Sequence, residues 1–294
     1  MKRIAILANP LHAAALRDIS ALASAAGLEV VCAATLDGVR DTQTHGLGKP
    51  CSGAEAALVL GGDGTMLRAA QWLAGHDLPL MGFNFGTLGY LTGASGVAEF
   101  KAALAELAAN AHREERRVML SARLRPSNNN AAAPRETILP DALNDVVLTR
   151  HTGRLVWLEC LLDGEHVATY ACDGLIVATP TGSTAYALSA GGPIVMPQTP
   201  ALVICPIGPH TLSSRPLVVQ DTAAITLRVT RARSPLVVSV DGNDTPVPPG
   251  DEVVIAKRPH PLRILFRSSH NPAKAFRDKL GWGRPPAMLE AGAL

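Results

Sequence analysis

An unbroken apolar run, Leu58-Val59-Leu60, empties into Gly61-Gly62-Asp63-Gly64-Thr65-Met66-Leu67, and this junction constrains the fold more than any other stretch. The run reads as a buried strand and the residues after the glycines as the start of a helix. Asp63 then stands at a strand's carboxyl end, where open α/β sheets bind ligands. Glycines lack a Cβ, so the backbone can reach positive φ and a phosphate can approach the main-chain N–H groups closely. A helix start favours phosphate, whereas a carboxylate at the same spot repels it. That conflict points to a proton transfer or a cation; the plain alternative is a tight turn with Asp63 as helix N-cap.

Around the junction the first hundred residues alternate: strand 3–8, helix 11–26, strand 28–33, strand 56–60, helix 65–74, strand 79–83 and helix 97–109. Such alternation implies a parallel sheet with helices on both faces. From Val118 the pattern changes to short Val, Leu, Ile and Thr-rich runs at 118–125, 144–150, 154–162, 175–178, 217–219, 224–230, 236–240 and 252–256, an all-β signature that reads as a sandwich. At 294 residues the chain exceeds the usual size of one core. Two domains are expected, 1–117 and 118–271, with an amphipathic piece at 272–280, in the segment 272–294, returning to the first. Residues 36–53, with four glycines, read as an irregular connection, and Pro126 to Pro134 as a disordered tip. Arg113, Arg116 and Arg117 beside Glu114 and Glu115 read as a mixed, solvated helix end.

Composition narrows the class. A hydrophobic content of 47% with 18% charged residues suits a well-buried enzyme, and a net charge of +2 announces no nucleic-acid partner. Cys32, Cys51, Cys160, Cys172 and Cys205 are odd in number and lack C-x-x-C spacing, which argues against a disulfide frame and a zinc site and for a reducing, cytoplasmic setting. Lys2-Arg3 before Ile4-Ala5-Ile6-Leu7 imitates a signal peptide, but Asn9-Pro10 interrupts the apolar run, which reads as the first buried strand. No stretch approaches the ~18 to 20 apolar residues of a membrane span.

A second constellation follows a strand at Asp173-Gly174-Leu175-Ile176-Val177-Ala178. The loop Thr179-Pro180-Thr181-Gly182-Ser183-Thr184-Ala185-Tyr186 carries five hydroxyls, and Ser189-Ala190-Gly191-Gly192-Pro193 follows. Hydroxyls donate to phosphate or ribose oxygens and small residues let a ligand lie on the backbone, although such clusters also make ordinary loops.

With Gly61-Gly62-Asp63-Gly64-Thr65, Asn84-Phe85-Gly86-Thr87-Leu88-Gly89-Tyr90-Leu91, Asn144-Asp145, the Thr179 to Tyr186 loop, Pro209-His210-Thr211-Leu212 with Arg215-Pro216, and Asp241-Gly242-Asn243 in this order, the chain resembles the NAD kinase family. The match covers most of residues 58 to 243. The resemblance implies an N-terminal Rossmann-like doubly wound domain, a C-terminal β-sandwich and a cleft between them. It further implies phosphoryl transfer from ATP, or from inorganic polyphosphate, to the 2′-hydroxyl of the adenosine ribose of NAD, with Mg²⁺ as the divalent metal and a homodimer or homotetramer as the assembly. Asp63 is implied as proton acceptor, with metal binding as its alternative. Asp63, Gly64 and Arg68 would touch NAD, and Asn144 with Asp145 would bind ribose hydroxyls, Asp145 standing where the family more often has Glu. Asp173 would hold the nicotinamide end or its ribose. Thr184, Ala185, Tyr186 and Ser189 would line the adenine and ribose pocket, with Arg154 and Asn243 as further contacts, whereas Tyr186 as a core aromatic and Arg68 as a solvated helix residue are the plain alternatives. His210 is expected to make structural hydrogen bonds. Other readings are a lipid kinase of the diacylglycerol kinase type, a phosphofructokinase-like sugar kinase, and a non-catalytic NAD(P) sensor. The last would have an altered Asp63, which is intact.

Overall fold

The computed structural model describes residues 1–39, 51–73, 75–85, 89–126, 136–150, 155–211, 213–232 and 235–280. The expected disordered tip around 127–135, most of the 36–53 connection and Arg154 lie outside the described residues.

The first sheet has seven strands: β1 (Arg3–Ala8), β2 (Glu29–Thr35), β3 (Ala56–Leu60), β4 (Leu80–Asn84), β5 (Thr92–Ser95), β6 (Arg113–Arg117) and a late strand, Leu262–Phe266. The order is β2-β1-β3-β4, then Leu262–Phe266, then β6, with β5 also on β4. All pairs are parallel except the last, in which β6 runs antiparallel to Leu262–Phe266. Along β1 and β3 successive side chains enter opposite cores. Ala5, Leu7, Ala57 and Val59 pack with Met66, Ala69, Ala70 and Leu73 of the helix Asp63–Leu73. Ile4, Ile6, Ala56, Leu58 and Leu60 pack with Ile19 and Ala23 of the helix Leu16–Ala25, and with Phe100, Leu104 and Leu107 of the helix Val97–Ala108. Burial on both faces explains why these strands are apolar throughout rather than alternating.

The second unit adds twelve strands, β7 (Leu120–Arg125), β8 (Thr137–Ile138), β9 (Asp145–Arg150), β10 (Val156–Leu162), β11 (Glu165–Cys172), β12 (Gly174–Ala178), β13 (Ala201–Ile207), β14 (Leu217–Gln220), β15 (Ile225–Arg231), β16 (Leu236–Val240), β17 (Asn243–Val247) and β18 (Glu252–Lys257). They form two antiparallel sheets, β11-β10-β15-β18-β7-β8 and β14-β13-β12-β9-β16-β17. Leu148, Leu175, Val177 and Val238 from one sheet meet Leu158, Leu227, Val253 and Ile255 from the other in a shared core. The outer face of β9-β12-β13 is covered by Ala187 and Val195, which follow the Thr179 to Thr184 loop. The expected α/β unit followed by a β-sandwich is therefore what the chain forms.

Four local expectations are corrected. Arg113–Arg117 is a strand rather than a solvated helix end, because Glu115 and Arg117 alternate inward, at 1% and 3% exposure, and pair with each other at 2.7 Å. Leu262–Phe266, expected in the second unit, hydrogen-bonds in the first sheet between β4 and β6. Residues 10–15 form a 3-10 turn begun by Asn9 and Pro10, and the α-helix starts at Leu16. Cys32 and Cys51 form a disulfide, their Cα atoms 5.0 Å apart at the end of the 36–53 connection, so contiguity in space rather than spacing in sequence pairs them. Cys160, Cys172 and Cys205 are free and buried.

Candidate functional site

Three turns meet at the carboxyl end of the first sheet. The Asn9 N–H donates to the Leu60 carbonyl at 2.9 Å, the Gly61 N–H donates to the Phe83 carbonyl at 2.8 Å, and the Asn9 amide reaches Thr65 Oγ1 at 3.3 Å. Asp63 opens the helix that follows. Its carboxylate accepts the Tyr90 N–H at 2.8 Å and the Leu91 N–H at 3.0 Å. Among the described residues its two oxygens are thus oriented by a neighbouring segment rather than by its own helix, which sets the N-cap alternative aside. The two N–H donors leave lone pairs for a further donor. Gly64 is exposed, and a Cβ there would meet nothing within 4 Å, so the helix start is open to a ligand. Gly89 is glycine for contact reasons: a Cβ there would lie 2.0 Å from Asp63 Oδ1 and 2.7 Å from Thr92 Oγ1.

One helical turn on, the Arg68 guanidinium pairs with Asp37 and lies over the Trp72 ring, 5.3 Å from its centroid. It is a half-buried, committed side chain. From the same helix Gln71 reaches the second unit, its amide donating to the Val240 carbonyl at 3.2 Å and its oxygen accepting from Asn243 at 3.0 Å. Asn243, expected to contact ligand, is therefore a tie between the two units.

The second half of the site is built on Asp241, which sequence reasoning saw within a motif but did not single out. Its carboxylate accepts the backbone N–H groups of Leu143, Asn144 and Asp145 at 2.7, 3.0 and 3.0 Å. That fixes the turn entering β9, and the Asn144 carbonyl in turn accepts the Thr179 N–H at 2.9 Å. Thr179 Oγ1 donates to the Leu143 carbonyl at 2.6 Å and accepts the Gly182 N–H at 3.0 Å. The hydroxyls of Thr179 and Ser183 thus spend themselves on backbone of the loop and of the segments beside it, at Leu143 and Val195, and Thr184 donates to the Thr181 carbonyl at 3.2 Å. They shape the loop, which leaves Tyr186 46% exposed, so it is not a core aromatic.

Asp145 and Tyr186 line a cavity of about 400 Å³ together with Thr149, Arg150, Ser239 and Asp244. Burial, with the Asp241 carboxylate adding to it, pushes the Asp145 carboxyl up to about 7, against the Tyr186 N–H, which favours the ionised form. Asp241 is also raised by burial. Asp173 sits at the edge of this region in an ion pair with Arg150 at 2.8 Å. Ala185 begins the short helix Tyr186–Ser189, at whose end Ser189 is exposed. Tyr90, whose N–H holds Asp63, shares a small 20 Å³ cavity with Thr181, Thr184, Arg117 and Phe276, so the two halves are contiguous. Buried Arg117 donates to Thr181 Oγ1 at 3.3 Å and ties the loop to β6. His210 is exposed and its N–H donates to the Ala171 carbonyl, a structural contact. Among the described residues no three His, Cys, Asp or Glu side chains gather as a metal site.

A glycine turn that presents one oriented carboxylate beside a loop-lined cavity on a β-sandwich defines a two-unit protein with a ligand site built from both units. The comparisons narrow the class. The model of the ATP-NAD kinase N-terminal domain matches residues 11–113 and that of the ATP-NAD kinase C-terminal domain residues 143–265. The chain belongs to the NAD kinase family. It is 43% identical over 242 residues to the NAD kinase of Pseudomonas entomophila (strain L48), covering 81% of this chain and 78% of that one. To the NAD kinase of Pseudomonas paraeruginosa (strain DSM 24068 / PA7) it is 44% identical over 238 residues, covering 78% and 76%. The yeast NADH kinase solved with NADH superposes with a TM-score of 0.79 over 97% of this chain and 89% of that one, and at 23% identity supports the fold. An NAD kinase from Archaeoglobus fulgidus, solved with ATP, gives a TM-score of 0.71 at 26% identity, covering 95% and 97%.

Proposed function

We propose that the chain is an NAD kinase that transfers the terminal phosphoryl group of ATP to the 2′-hydroxyl of the adenosine ribose of NAD, releasing ADP and NADP. The observation that carries this reading is Asp63, a carboxylate held by two N–H donors at the open end of a parallel sheet. A ribose hydroxyl is a poor nucleophile. As its oxygen forms the new bond to phosphorus and the bond to the ADP oxygen breaks, Asp63 accepts the hydroxyl proton. Asn144 and Asp145 are assigned to ribose hydroxyls, since a vicinal diol donates well to a carboxylate. Tyr186, Ala185, Thr184 and Ser189 are assigned to the adenine and its ribose, and Asp173 to the nicotinamide end.

Mg²⁺ is assigned to the donor. A lone carboxylate suits an ion that is carried by substrate phosphates and keeps several waters, so Asp63 fits as a ligand only as the alternative to its role as proton acceptor, and the ion would supply neutralisation of phosphate charge. Inorganic polyphosphate offers the same anhydride and is proposed as a second donor. The working units are 1–117 with the C-terminal segment, and the sandwich from 118 onward, Leu262–Phe266 lying in the first sheet. The homodimer or homotetramer is proposed to form through the sandwich, whose edge strand β11 exposes Val167 at 42%. A cytoplasmic location is proposed because ATP and NAD are held there. Among the described residues no helix is long and apolar enough to cross a membrane.

The test is NADP formation from NAD by the purified chain with Mg²⁺ and either ATP or polyphosphate. Turnover with ATP is expected; NAD binding without turnover on either donor would favour a sensor.

A further inference from the structure

The site as described holds an unresolved electrostatic problem. Asp63 is anionic, the donor phosphates are anionic, and the nearest basic residue on the same helix, Arg68, is committed to Asp37. Mg²⁺ carried by the donor would answer part of that charge, and the C-terminal helix Pro272–Leu280 brings a cation of the chain's own. Asn271 caps that helix, its side chain accepting the Ala273 N–H at 3.0 Å, and Pro272 starts it with a φ already suited to helix. The helix is pinned to the first unit by Phe276, whose ring centroid lies 6.2 Å from that of Tyr90. One turn further on, Lys279 Nζ lies over the face of the same Tyr90 ring, 4.0 Å from its centroid. Tyr90 is the residue whose N–H donates to Asp63.

We propose that Lys279 contacts the terminal phosphate of the donor, delivering from the C-terminal helix the positive charge that lets a phosphoryl group approach Asp63. The assignment rests on the reading of the chain as an NAD kinase and deepens it. Among the described residues Lys279 makes no ion pair, so its charge is available to an incoming anion. Burial lowers its pKa while the charge of Asp63 raises it. The Tyr90 face holds the ammonium by a cation–π contact, which is weak enough to be exchanged for a phosphate oxygen. Lys279 keeps its proton throughout. It stabilises the charge on the transferring group, and the hydroxyl proton still goes to Asp63.

The test is steady-state kinetics of the full chain with ATP and NAD varied in turn, on the parent, Lys279→Met and Lys279→Arg. Methionine keeps the length and apolar stem of the side chain and removes the charge; arginine keeps the charge. The expected result is a loss of at least about 30-fold in kcat/KM for ATP in Lys279→Met, with KM for NAD within about threefold of the parent, and recovery of much of the loss in Lys279→Arg. Thermal unfolding is expected to be unchanged in both. Lys279→Met with kcat/KM for ATP within about threefold of the parent overturns the assignment, as does an equal loss in both variants, which marks a packing role. A parent that makes no NADP overturns the reaction itself and the role of Lys279 with it.

Discussion

Two residues show how burial, rather than identity alone, sets chemistry here. The Asp241 carboxylate holds the turn that carries Asp145, and burial with that neighbouring carboxylate raises Asp145 to about 7. An unfolded aspartate titrates near roughly 4. Between those values the folded chain keeps a proton that the unfolded chain has released, so stability falls as pH rises through this window and levels off above it. Unfolding midpoints measured from pH 5 to 8 are expected to decline, and the decline to flatten in Asp145→Asn; equal slopes would remove Asp145 as the cause. Gly89 makes the complementary point through shape. Gly89→Ala places a methyl 2.0 Å from Asp63 Oδ1, and should lower kcat by at least about tenfold with NAD affinity retained, measured by kinetics and calorimetry. Asp63 was legible in the sequence because its glycines and strand announce it. Asp241, Arg117 and Lys279 were not, since Asp241 holds Leu143 from 98 residues away, Arg117 holds Thr181 from 64 residues away and Lys279 acts through a ring face, and no spacing records that.

The elements were legible where one physical rule dominated. Continuous apolar runs located β1, β3 and β4, and the helical stripe of 272–280 matched Pro272–Leu280 in place and in its contact with the first unit. Strands escaped notice where charge hid the alternation. In Arg113–Arg117 five charged residues conceal an inward pair, Glu115 and Arg117, that burial selects and that lies against the Phe266 ring. Desolvation pulls the Arg117 pKa down and Glu115 opposes it, so the pair holds only while both members are present. Glu115→Ala leaves a buried guanidinium without its carboxylate and is expected to cost about 3–5 kcal/mol in urea unfolding; a cost below about 1 kcal/mol would mean that water reaches Arg117. Because Arg117 also donates to Thr181, the same variant is expected to disturb the Thr179 to Tyr186 loop.

At the scale of the molecule, the chain crosses between its units more than once, and those crossings make the site. Leu262–Phe266 returns to the first sheet, Gln71 is tied to Val240 and Asn243, Arg117 holds Thr181, and the C-terminal helix closes over Tyr90. The two-part architecture was legible from the change of pattern at Val118, but the return strand was not, because a five-residue run with four apolar residues fits either sheet. These ties hold the oriented carboxylate of one unit against the Thr179 to Tyr186 loop of the other, and the proposed reaction stands on that carboxylate as the base. The most direct measurement is the turnover of Asp63→Asn beside its NAD affinity by calorimetry. The expected result is a fall in kcat of at least about 10²-fold with NAD affinity within about threefold of the parent. Turnover within about fivefold of the parent would contradict a proton acceptor at Asp63 and leave the glycine turn as a binding feature alone.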